Sequence, residues 1–147
     1  MSKKSPRHLA RSFAVQGIYY FKLNQVTIDQ IEEFLNTNSP DVYKKVNQEL
    51  MHELLKDGIA SFDTMLERYR PYLNRELNEI NLIEQIILVV AATELINSLN
   101  VPAPVIINEA VELAKLYGAE ESHKFINGLV DKLAKETRQE EIKQYSK

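Results

Sequence analysis

The segment Leu82 to Ile96, LIEQIILVVAATELI, is apolar on nearly every side of a helical projection. Glu84, Gln85 and Glu94 interrupt it, and it falls short of the roughly 20 apolar residues that a bilayer-spanning helix needs. A helix of this kind has almost no face to offer water, so it belongs at the buried centre of a helical bundle. The rest of the chain agrees with an all-α fold. Only four glycines occur in 147 residues, β-branched alternation is absent, and helix-capping patterns recur.

Ser5 followed by Pro6 is an N-cap with proline at the first helical position, opening a helix to about Asn24. TIDQ, from Thr27 to Gln30, is a capping-box pattern for a second helix. Ser39 and Pro40 open a third, whose apolar positions run from Val42 through Val46, Leu50 and Leu54 to Leu66 and Tyr69. This reads as one long helix containing Gly58 and ending at Pro71. A short amphipathic turn through Leu73, Leu77 and Ile80 comes fourth. Asn81 caps the central helix, with Glu84 in its first turn. NVPAP is the clearest break in the chain. Val105 to Tyr117 forms a sixth helix, with Gly118 as a left-handed C-cap, and Glu120 to about Lys135 a seventh. The charged tail after Glu136 is expected to fray. The predicted organisation is one domain over residues 1–147, with helical subdomains at about 5–70 and 71–136 and a tail at 137–147.

Several chemistries are excluded or unsupported. There is no cysteine, hence no disulfide, zinc-thiolate site or thiol nucleophile. The histidines, His8, His52 and His123, do not pair at metal-binding spacing, and no glycine-rich phosphate loop or nucleophile-elbow motif is present. Glu94, on the apolar central helix, reads as a buried carboxylate hydrogen-bonded to a neighbour rather than a catalytic group. With no apolar signal core at the N-terminus, a soluble cytoplasmic protein without metal, cofactor or membrane contact is expected.

The net charge of −3 conceals an asymmetry. The first 22 residues carry Lys3, Lys4, Arg7, Arg11 and Lys22 and no acid; the remaining chain sets 13 basic against 21 acidic residues, a net −8. A basic arm on an acidic body fits a polyanion partner, or simply a solvated terminus; charge alone does not choose. On the first helix Leu9, Ala10, Phe13, Ala14, Gly17, Tyr20 and Phe21 share an apolar face, and Arg7, Arg11, Lys22 and Tyr19 fall at its border or beyond. Cations beside an exposed ring suit single-stranded RNA, whose phosphates take the charges and whose unpaired bases stack on the ring. Snorkelling arginines and an amphipathic tyrosine are the plainer alternative.

A second stretch, SHKFINGLVDK from Ser122 to Lys132, places Lys124, Phe125 and Gly128 together. Its buried stripe is Ile126, Leu129, Val130 and Leu133, with Phe125 at the margin. The residues alone favour a core-edge phenylalanine and a packing glycine.

VIINEAVELAKLYGAEESHKFINGLVDKLA, from Val105 to Ala134, resembles the C-terminal signature of the NusB family of bacterial transcription antitermination factors. ARSFAVQGIYY (Ala10 to Tyr20), RPYLNR and NLIEQIIL are similar to the opening and middle of that family, so the resemblance spans about Arg7 to Lys135. It implies a seven-helix fold of two helical bundles, no catalysed reaction and no cofactor. The implied partners are single-stranded boxA RNA in nascent ribosomal RNA, the small-subunit ribosomal protein NusE, other Nus factors and RNA polymerase. Carried over by position, the RNA surface would include Arg7, Arg11 and Tyr19, then Tyr72, Lys124 and Phe125, with Glu121 at its border. Lys3 and Lys4 would add charge from the N-terminal arm, and Gly128 would serve packing. Glu84 matches a position on the surface that receives NusE. The chain departs from the family at His8 and Leu9, where a denser arginine cluster is usual, and at Val89 and Thr93, where arginine and tyrosine are usual. Two other readings stand beside this one: a helical protein-protein adaptor that does not bind RNA, and the RNA-binding fragment of an RNA methyltransferase. The absence of cysteine and of a strand pattern counts against the latter.

Overall fold

A computed structural model describes residues 4–145, and Lys3 lies outside that range. Among the described residues the fold is all-helical, in two compact units, Met1–Ala60 and Ser61–Lys147. The sequence reading places the join near Pro71; the observed division falls where the helical run breaks at Ser61.

The first unit begins with α1 (Pro6–Asn24) and α2 (Ile28–Asn38). Ser5 caps α1 by accepting the His8 N–H at 3.0 Å, and the capping box of α2 forms between Thr27 and Gln30. One orphan donor at the start of α1 and two at the start of α2 are thereby satisfied. The long third helix of the sequence reading is instead three pieces: α3 (Pro40–Tyr43), α4 (Gln48–Ala60) and, in the second unit, α5 (Phe62–Glu67). The first interruption has a local cause. The Asn47 side chain accepts the Leu50 N–H at 2.9 Å, and its backbone N–H donates to the Pro6 carbonyl at 3.0 Å, so α4 starts afresh against the beginning of α1. Gly17 marks a close approach within the unit. A Cβ there would stand 2.6 Å from Leu55 Cδ2 and 2.7 Å from Ile31 Cγ2.

In the second unit, 3₁₀ turns at Arg70–Tyr72 and Leu77–Glu79 replace the expected amphipathic turn. They lead into α6 (Leu82–Asn97), α7 (Ala103–Tyr117) and α8 (Ser122–Thr137), which pack on one another. Asn81 caps α6, and every residue from Ile86 to Leu95 is buried, as the apolar composition requires. Val89 and Thr93 lie inside this stretch, and the Thr93 hydroxyl donates to the Val89 carbonyl at 2.8 Å. The fully buried Tyr69 hydroxyl donates to the Leu88 carbonyl at 2.7 Å, and burial pushes its phenol well above the ordinary range.

Two features differ from expectation at the helix ends. Gly118 does not adopt a left-handed cap; its φ is −89° and ψ 177°. Glycine is there for space, since a Cβ would meet the Ala114 carbonyl oxygen and the Ser122 Cβ, each at 2.7 Å. The described part of the tail after Glu136 is helical, with α9 (Gln139–Tyr145) following α8. The side chain of Arg138, 4% exposed, donates to the carbonyls of Leu95 at 2.7 Å, Val101 at 2.9 Å, Ser98 at 3.0 Å and Glu94 at 3.2 Å. It thereby gives the Leu95 carbonyl near the end of α6 and the Val101 carbonyl beyond it a charged donor, and adds a second donor to the carbonyls of Glu94 and Ser98. Its ion-pair partner Glu141 accepts the Ala103 N–H at the start of α7 at 2.6 Å.

Candidate nucleic-acid interface

On the second unit, one face of α8 and the turn at 71–74 enclose an open groove of about 660 Å³. Helical spacing sets its α8 wall: Lys124, Phe125, Gly128, Leu129, Lys132 and Lys135 recur at intervals that keep them on one side. Pro71, Tyr72, Leu73 and Asn74 form the opposite wall. The walls are tied together at Glu136, which accepts the Tyr72 hydroxyl and pairs with Arg68 at 3.5 Å. That hydrogen bond, with some help from burial and the Glu136 charge, pushes the Tyr72 phenol up to about 12. Tyr72 thus contributes its ring to the groove while its hydroxyl is engaged.

The groove is cationic over an apolar floor. Lys124 pairs with Glu121 at 3.2 Å, both being more than 70% exposed, and Lys135 pairs with Asp131 at 3.1 Å. Exposed ion pairs of this kind contribute little and exchange readily. Lys132 is exposed and has no ion-pair partner among the described residues. Phe125 is half-buried, and Arg75 lies against it with the guanidinium carbon 4.2 Å from the ring centroid. A Cβ on Gly128 would meet nothing within 4 Å. The expectation that Gly128 serves packing is therefore not met: it is exposed and leaves the groove open.

The remaining sequence-selected residues divide. Lys4 and Tyr19 are exposed on the first unit and Arg7 is partly so. Arg11 is not on a solvent-facing surface; it is 3% exposed and engaged within the protein. The reason is that every residue from Ala10 to Val15 is buried, so α1 has no polar face at that level. Glu84 is also buried, at 7%, and its carboxylate accepts the Ser122 hydroxyl at 2.8 Å where α6 meets the start of α8. It is a packing contact in this structure rather than an exposed docking residue. Glu94 is buried and partnered, in keeping with the sequence reading.

Arg75, Lys132 and Lys135 were not among the residues selected from sequence. A cation at 132 or 135 was readable from the α8 projection. The approach of Arg75 to Phe125 is a tertiary contact without a local signal. Among the described residues no cluster of His, Asp or Glu could hold a metal, and no helix is long and apolar enough to cross a membrane.

Comparison with known proteins gives a consistent result. The NusB family model matches residues 8–135. The chain is 39% identical over 142 residues to the transcription antitermination protein NusB of Aromatoleum aromaticum, covering 97% of each. It is 43% identical over 140 residues to that of Alteromonas mediterranea, covering 95% of this chain and 98% of the relative. The solved structure of T. maritima NusB aligns with a TM-score of 0.75 at 28% identity, over 91% of this chain and 94% of that one.

Proposed function

The chain belongs to the NusB family of transcription antitermination proteins, and we propose that it acts with NusE on single-stranded boxA RNA in nascent ribosomal RNA transcripts. Membership of that family makes it a regulator rather than an enzyme. The observation that carries the RNA reading is the groove on α8, where three lysines surround a half-open phenylalanine ring. Lysines supply phosphate contacts, and the rings of Phe125 and Tyr72 supply stacking surfaces, each stacked base contributing about 1–3 kcal/mol. On the first unit Lys4, Arg7 and Tyr19 offer the same two kinds of contact. Arg11 contributes by holding α1 in place, since it is buried.

Two of the three groove lysines already pair with neighbouring carboxylates. RNA must displace those carboxylates, so binding by this chain alone is weak and NusE adds the missing contacts. Other Nus factors and RNA polymerase then receive the complex, in the cytoplasm where transcripts are made. The test is a titration of labelled boxA RNA against a scrambled control, with and without NusE, across a salt series. The three groove lysines alone give a log–log salt slope of about −2 on a single strand, and Lys4 and Arg7 steepen it toward about −3.5. NusE binding without any RNA preference would leave the adaptor reading in its place, which the engaged lysines and buried Arg11 favour.

A further inference from the structure

Resting on the reading that this groove binds unpaired RNA, we propose that Arg75 and Phe125 form a two-sided clamp for one base. The guanidinium carbon lies 4.2 Å from the ring centroid, a gap that holds no third layer. A base with a plane on each side needs about 7 Å, twice the ordinary contact distance. Arg75 must therefore draw back by roughly 3 Å and close again over the base.

The local structure permits that motion. Arg75 is exposed in the bend between the two 3₁₀ turns. The other arginines of the segment are held by carboxylates: Arg68 by Glu136, and Arg70 by Glu67 and Glu76. Glu76, the nearest acid to Arg75 in sequence, is thus directed to Arg70. Arg75 has no ion-pair partner among the described residues, and it lies on the Phe125 ring. A guanidinium so placed is a flat cation free to stack, and arginine planes stack on nucleobases as aromatic rings do. Gly128 leaves the neighbouring turn of α8 bare, so a base edge can slide in beside the ring. Lys124 and Lys132 stand on the groove wall for the flanking phosphates.

The clamp differs from a lid that competes with the base and from a simple phosphate contact, and the variants separate them. Binding is measured with the full chain and NusE, using boxA RNA intact and with each base replaced in turn by an abasic site. The clamp requires that Arg75→Ala weaken intact RNA about ten-fold, and that Arg75→Lys, which keeps the charge without the plane, fail to restore it. At one abasic position, wild type and Arg75→Ala should bind alike. Arg75→Gln, with a planar uncharged end, should bind between alanine and wild type, and circular dichroism of each variant checks that the fold is intact. Arg75→Ala binding as well as or better than wild type, or Arg75→Lys matching wild type, overturns the clamp alone. Wild type showing no RNA binding with NusE present overturns the RNA reading and the clamp with it.

Discussion

Replacing Gly128 with alanine should stabilise the protein while weakening its grip on RNA, two effects of opposite sign from one methyl group. Glycine in a helix interior costs about 1 kcal/mol relative to alanine. Gly128 lies well inside α8, is exposed, and its added Cβ would have no heavy atom within 4 Å. The full propensity gain should therefore appear, as an increase of about 2–6 °C in melting temperature for a domain of this size. Gly17→Ala is the control. It offers the same propensity gain but drives a Cβ to within 2.6 Å and 2.7 Å of the buried Leu55 and Ile31 side chains. Overpacking of that kind costs about 1–3 kcal/mol, so the net effect should be destabilising. Urea unfolding followed by circular dichroism measures both. On the RNA side the new methyl stands on the α8 wall of the groove one turn from Phe125, where it obstructs a base approaching the ring. A destabilised Gly128→Ala protein would show that something packs against that turn after all. A stabilised variant with unchanged RNA affinity would show that the gap is not used by the ligand.

Removing Arg138 should be far more damaging than its place in a charged tail implies. Arg138→Ala takes the charged donor away from four carbonyls and from the Glu141 carboxylate, leaving those of Leu95 and Val101 without the side-chain partner they have here, and breaking a buried charged network costs about 3–5 kcal/mol; Arg138→Lys should recover little, because an ammonium lacks the fork that spans those acceptors. Glu121→Gln releases Lys124 from its pair and removes a charge beside the groove, so boxA affinity should rise, and unchanged binding would exclude Lys124 from the phosphate path. The Tyr72 phenol should titrate near pH 12 in a spectrophotometric titration, above its ordinary 10.0, and closer to the ordinary value in Glu136→Gln. Because folding raises this pKa, the associated stability is complete below pH 10 and declines between there and about pH 12.

Helix starts were the most legible part of the fold because each is decided within four residues. Ser5 with Pro6, the Thr27–Gln30 box and Asn81 all cap the helices that they announce. The break between α3 and α4 was hidden for a physical reason. Apolar residues continue at helical spacing across it, so periodicity alone joins the pieces, although Asn47 carried the capping signal. Gly118 is required for a reason other than the local turn. Glycine past a helix end commonly supplies a left-handed turn, whereas here the limit is the approach of Ser122. Arg138 and Glu141 have the i, i+3 spacing of a solvated pair, and their burial depends on carbonyls contributed by α6 and the start of α7.

The site was legible in kind but less so in membership. A helical projection reports the angle at which a side chain leaves the axis, not how deeply the helix is covered at that level. Phe125 sits at the margin of the α8 stripe, as the projection places it, because α8 keeps one side in water. Arg11 was misplaced because the Ala10–Val15 level of α1 is buried on every side, and a guanidinium there must be engaged rather than offered. Glu84 failed likewise, its carboxylate accepting from Ser122 far along the chain. Arg75 was within a motif already noted, yet nothing in RPYLNR indicates which of its two arginines is held by acids. Only the folded turn shows Arg70 between Glu67 and Glu76 and Arg75 on a ring. Family resemblance selects the residues near a function; the competition for each charge decides which remain available to a ligand, and that competition is settled in three dimensions.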